Sequence, residues 1–488
     1  MPAEGTRMAG LWEREVGRLP PKRFANAVMA SKDFVQSLSI HKRLRKHRGC
    51  VNTISFNSSG SLLLSGSDDQ YIMLWNWEKG EPTLKFYTGH DNNVLYAQFM
   101  PFSDDRSIIS SGADGQVRHS QIQEGGCVLT HKFAEMDYAV HRLAVQPGNP
   151  HTFFSCGQDG AVWSFDVREK EATELFKCGA IHDSPFYAID LYSIAVDPRN
   201  PCYFAVSGSD EYVRLYDTRK SYLNGDSKFG CPVEHFCPPH MIAENKDGIT
   251  GLAYSQTGEL LASYSYENIY IFEREHGLHF NNFEVGEKLL MDATVESSLL
   301  CGEKKLPVPQ TFVGHKNMKT IKGVNFLGPN CDYVTSGSDC GNVFIWRKKD
   351  GELMRVMRGD KRIVNCVEQH PSEIVIASSG IDSSIKIWAP GESENTSDDE
   401  IFTDLDLSGS TSDSDGPDYM DEPIFSYGFD TSDDDEDVDD IEGDDEEYGE
   451  EETTGDGSEE DDEGGSKDMN EGDGEGMNEG DDEGMNDD

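Results

Sequence analysis

No stretch of apolar residues in this 488-residue chain approaches the ~18 that a membrane-spanning helix requires. Residues 1–30 lack the apolar core of a secretory signal, so export is not expected. The 11 cysteines include no C-x-x-C pair, and an odd, unpatterned set reads as reduced thiols in the nucleus or cytosol, with no zinc site. No glycine-rich phosphate loop, H-E-x-x-H, G-x-S-x-G or kinase residue set occurs. These absences point to a non-catalytic protein that needs no cofactor and touches no membrane.

Bases are also missing, but only from one end. The formal charge of −49 comes from 42 Lys and Arg against 91 Asp and Glu. Residues 391–488 hold 44 acids and a single base, Lys467. The other 390 residues are close to balanced, with 41 bases and 47 acids. The body therefore reads as an ordinary globular sequence. The tail has too little apolar surface to offset chain entropy and is expected to be disordered.

What the body does have is a repeat. "SGSDDQYIMLW" ending at Trp75 returns in six further versions, ending at Ser120, Phe165, Tyr216, Phe272, Trp346 and Trp388. Six residues before each end stand Asp69, Asp114, Asp159, Asp210, Tyr266, Cys340 and Asp382. Each unit has three short apolar or alternating runs separated by turn residues, which is the pattern of short β-strands. Gly89-His90 and Gly314-His315 open two of the units. These features resemble the WD-repeat family, which implies an all-β, seven-bladed β-propeller over residues 34–390.

In that family a turn Asp holds a His, which reaches a strand Ser or Thr and a Trp indole. Such a network is stable only when every member is satisfied. His90, Asp114, His315, Trp75 and Trp346 accordingly read as structural. The last unit stops at Pro390 after three strands, while "FVQSLSI" (Phe34–Ile40) alternates without a partner. That segment is expected to supply the outer strand of the last blade and close the ring. Residues 1–33 form an N-terminal arm, with Leu11–Phe24 either a short docking helix or a frayed end. An insert at 273–310 is expected between units five and six.

Two consecutive units carry a further feature. Phe165-Asp166-Val167-Arg168 and Tyr216-Asp217-Thr218-Arg219 both fit an aromatic-Asp-x-Arg box. Its Asp and Arg fall in the loop after the third strand, at one rim of a propeller. An arginine there offers a planar fork to a partner's carboxylates or carbonyls. With phrases such as "LYSIAVDPRNPCYFAVSGSDEYVRLYDTRK" (Leu191–Lys220), the chain resembles the substrate receptors of cullin-4 RING ubiquitin ligases, in wording the DDB1- and CUL4-associated factor eight group. That resemblance implies that Asp166, Arg168, Asp217 and Arg219 dock on damaged-DNA-binding protein 1, the ligase adaptor. It further implies a cullin-4 ligase partner and an unknown protein substrate, in nucleus and cytoplasm.

The remaining charge features stay open. The basic run His41–Arg48 reads as a solvated loop or an import signal, and the acidic tail argues against nucleic-acid binding. Ser397, Ser412 and Ser432 each have an acid three residues on, a context for an acid-directed kinase. A different reading of the tail is a shield for a basic client. The protein would then be a scaffold or chaperone for a histone or ribosomal protein.

Overall fold

A computed structural model describes residues 11–391, apart from residues 170, 221 and 374 and segments 181–186, 223–227, 243–246 and 279–307. The acidic tail from residue 392 onward, with Ser397, Ser412 and Ser432, lies outside the described residues.

Alternating apolar runs and Gly- or Asp-containing turns produce seven four-stranded sheets, each pairing antiparallel throughout. The innermost strands begin at Val51, Val94, Val140, Leu191, Ile249, Val324 and Val364, all essentially buried. In six of the seven a β-bulge follows within two residues of that start, as between Val51 and Thr53. A bulge bends and twists the strand where the ring is most crowded. Each innermost strand lies beside those of the flanking blades, and blade seven lies beside blade one. The result is a closed, seven-bladed β-propeller.

Its core is divided rather than central. Seven apolar clusters sit between neighbouring blades, one at each interface. Between blades three and four, for example, Phe154 and Phe204 stack with ring centroids 5.1 Å apart, and Phe176 lies 4.2 Å from Tyr216. No blade can bury both of its faces alone, so stability depends on neighbours.

The closing strand differs from the expectation. It is Leu38–Arg45, paired with Ser384–Pro390, and not Phe34–Ile40. Phe34 and Val35 belong instead to a short helix, Lys32–Gln36, whose N-cap Ser31 accepts from the Phe34 amide. Both side chains are buried together against blades six and seven, which an alternating strand would not allow. The basic run His41–Arg48 is correspondingly not simply a loop, since His41 to Arg45 are strand. Leu38 and Leu44 carry the inward face, so the outward positions are free to be basic.

The insert is also displaced from its expected place. Blade five takes its outer strand, Gln310–Phe312, from beyond the insert, so the insert interrupts blade five itself. The N-terminal arm is more helical than the single short helix expected. Residues 11–15 are helical, and a second helix, Pro21–Met29, starts with proline where no backbone donor is needed.

Candidate functional site

The polar network inside the blades takes two forms. In blade one His47 Nδ1 contacts Asp69 at 2.9 Å, its Nε2 lies 2.8 Å from Ser65, and Trp75 donates to the same Ser65 at 2.8 Å. In blade two His90 bridges Asp114 at 3.1 Å and Ser110 at 3.0 Å. Ser120, standing where a Trp is usual, reaches Thr130 instead. His315 does not follow the expectation. Both its ring nitrogens are buried without a hydrogen-bond partner among the described residues, and Trp346 donates to the Val313 carbonyl. Asn317, two residues on, does the polar work and donates to Thr250, Ser263 and the Tyr264 carbonyl of blade five.

Blades four, six and seven use buried ion pairs, which sequence reasoning missed. Arg214 meets Asp210 at 2.5 Å, Lys322 meets Asp339, and Lys386 meets Asp360 at 2.5 Å and Asp382 at 3.1 Å. A spacing signal was present in two of these, a cation four residues after the turn Asp. Ser65 and Ser110 each stand beside an imidazole, but both hydroxyls are buried inside their blades and Trp75 also holds Ser65, so these networks fix blade geometry.

The two Asp-x-Arg boxes sit elsewhere, at one rim of neighbouring blades. Asp166 and Asp217 are the last residues of the third strands Ala161–Asp166 and Val213–Asp217. Each carboxylate accepts the backbone N–H two residues on, at 2.9 Å and 3.0 Å, which makes a tight Asx-type turn. Each also grips the guanidinium of that same residue. Arg168 donates from Nε at 2.9 Å and from Nη2 at 2.5 Å, and Arg219 does so at 2.9 Å and 2.8 Å. The two clamps are geometrically alike.

Their electrostatics follow from this geometry. Hydrogen bonds from the arginines hold both carboxyls down at about 2, so the ion pairs are fully formed at neutral pH. The carboxylates are turned inward, while the arginine side chains are 65% and 60% exposed. Nη1 of each arginine has no hydrogen-bond partner among the described residues, so each fork presents donors to solvent. The paired Asp thus fixes the direction in which a partner would be met.

Arg219 has additional support. Its Nη2 donates to the Tyr203 hydroxyl at 3.2 Å, and its guanidinium lies 5.3 Å from the Tyr203 ring centroid. Arg274 covers the same ring at 4.7 Å and pairs with Glu234 at 3.1 Å. Beside them, between blades four and five, opens a cleft of about 340 Å³ lined by Arg199, Tyr203, Tyr254 and Arg274 among others. The sequence held no sign of this cleft, because its walls come from separate repeats.

Comparison with known proteins agrees with the repeat. The family model "WD domain, G-beta repeat" matches residues 38–76, 81–119, 307–347 and 351–389. It leaves blades three to five largely unmatched, where Arg214 replaces the neutral network and Tyr266 the turn Asp. DDB1- and CUL4-associated factor 6 of Mus musculus is 32% identical over 279 residues, covering 54% of this chain and 31% of that protein. The Homo sapiens protein of the same name is 31% identical over 280 residues, 54% of this chain and 32% of its own length. Protein ALTERED SEED GERMINATION 2 of Arabidopsis thaliana is 30% identical over 276 residues, 50% of this chain and 36% of its own. The chain thus spans about a third of the length of these relatives. The closed ring of seven blades is a β-propeller, four segments of the chain match the WD domain, G-beta repeat model, and the chain is similar to DDB1- and CUL4-associated factor 6.

Proposed function

We propose that this protein is a substrate receptor of a cullin-4 RING ubiquitin ligase. In this reading it docks on damaged-DNA-binding protein 1 through Arg168 and Arg219 and presents a protein substrate on the rest of its surface. The observation that carries the reading is the pair of matching Asp-x-Arg clamps on neighbouring blades, each aiming an arginine fork outward from one rim. The printed names of the factor 6 relatives, which associate with DDB1 and CUL4, support it. Placement in the factor eight group, and work in both nucleus and cytoplasm, belong to the same proposal.

The test is co-purification of adaptor and cullin with the full chain. Desolvated arginine anchors commonly contribute ~2 kcal/mol or more, about thirtyfold in affinity each. Arg168→Ala/Arg219→Ala should therefore lose the adaptor from a pull-down, with the thermal midpoint little changed. Arg168→Lys/Arg219→Lys keeps the charge and the ion pair but loses the fork, and should still bind at least about tenfold more weakly. Wild-type recovery of the adaptor by the folded double alanine variant would overturn the assignment.

A second reading, a scaffold or chaperone for a basic client, is favoured by the 44 acids of the tail. It predicts client capture that is insensitive to both arginine substitutions and abolished by high salt.

A further inference from the structure

The closing strand has an unusual outward face. Within the run His41–Arg48, Lys42 packs over Gly80 and donates to the Glu78 carbonyl at 2.5 Å, and His47 is taken up by the blade-one network. Arg43, Arg45, Lys46 and Arg48 are exposed, and none forms an ion pair with a described residue. Four cations therefore stand along the outermost strand of blade seven and the turn that follows. Among the described residues no other strand partners that edge.

The chain leaves the ring beside these cations. Strand Leu38–Arg45 pairs with Ser384–Pro390 so that Leu38 lies opposite Pro390 and Arg45 opposite Ser384. The Gly391 amide donates to the Ser37 carbonyl at 3.2 Å, so the chain exits at the start of the basic strand. The next 15 residues, 392–406, carry Glu392, Glu394, Asp398, Asp399, Glu400, Asp404 and Asp406 and no base. Leu38 to Arg48 spans about 33 Å, and 15 extended residues reach about 50 Å. Length, exit point and charge all match.

We propose that the outward face of Leu38–Arg45, continued through Lys46 and Arg48, is a docking surface for the chain's own acidic segment, residues 392–406. The segment runs back along the strand from its exit and sets its carboxylates against the four spare cations. Because it is tethered at Gly391, its effective concentration at the strand is high and needs no second molecule. Docking covers the exposed edge, and it keeps other acidic chains off the basic face. A competing acidic macromolecule, or loss of segment charge, would uncover the face.

The full-length protein tests this directly with a zero-length carbodiimide, which joins a lysine amine to a touching carboxylate. Lys46 is the reporter, and Lys132, exposed on the outer strand of blade two, is the reference. Links from Lys46 to residues 392–406 should exceed those from Lys132 about tenfold at about 0.01 M salt, where charges interact over about 30 Å, and vanish near 1 M, where the range is about 3 Å. Their yield should be unchanged on dilution. Arg43→Glu/Arg45→Glu, both at exposed positions, should lower it at least about fivefold while leaving the melting midpoint in place. Equal links from Lys46 and Lys132 would overturn the proposal. So would a yield that falls with dilution, which marks contact between copies. If the charge-reversed protein fails to fold, the salt and dilution series on the native chain still decide.

Discussion

A buried histidine is worth what its ring nitrogens find. His90 is fully buried and has carboxylate and hydroxyl partners, whereas both nitrogens of His315 are buried without one among the described residues. Replacing His90 by Leu strands Asp114 and Ser110 and should cost about 2–3 kcal/mol. His315→Leu removes two unsatisfied atoms and should be neutral within about 1 kcal/mol in urea denaturation. The same ring sets a pH response. Burial holds His315 and His141 down at about 4, and His235 at about 3. A depressed folded-state pKa means the unfolded chain takes up the proton first. The stability is intact above ~6.5, the unfolded value, and declines as pH falls toward 4, by about 2 kcal/mol per residue at pH 5. His315→Leu should therefore flatten the fall in Tm between pH 6.5 and 4. An unchanged slope would show that the ring is hydrated.

At the scale of the element, the closing strand joins the N-terminal part of the chain to the last blade. Leu38 and Leu44 are buried in different clusters, at the blade six–seven and seven–one interfaces. Removing residues 1–45 would take both away and leave the outer edge of Ser384–Pro390 unpaired, with only its inner edge still held by Ile376–Gly380. An unpaired, largely apolar edge is a template for other chains. The truncated protein should run as oligomers or aggregate in size-exclusion chromatography. A monodisperse monomer would mean the ring closes without this strand. Here the sequence was only partly legible. An N-terminal closing strand is visible in the sequence, but the alternation across Phe34–Ile40 places it several residues too early. The helix Lys32–Gln36 breaks that pattern, because a single turn can bury adjacent residues Phe34 and Val35.

At the largest scale, the described residues form a ring of seven shared interfaces, so its blades cannot be lost one at a time without exposing the next. Trp75, Trp346 and Trp388 are fully buried in blades one, six and seven. If closure couples the blades, tryptophan fluorescence and far-UV circular dichroism should report one coincident urea transition. Fluorescence preceding dichroism would show that the blades do not unfold together.

Seven units, the strand-rich composition of each, the acidic tail and both Asp-x-Arg boxes could be read directly, because local patterning repeats within about 45 residues. The partners of the turn acids could not. Arg214, Lys322 and Lys386 look like surface cations in the sequence, and only packing reveals that each is buried against a carboxylate. The place of the insert was equally hidden, since strand pairing across a long connection depends on which edge is left open. The same holds for the rim. The sequence determined that two arginines follow two aspartates. Tertiary structure decided that the carboxylates turn inward and the guanidiniums outward on neighbouring blades, because ring closure sets the directions in which the loops leave their strands.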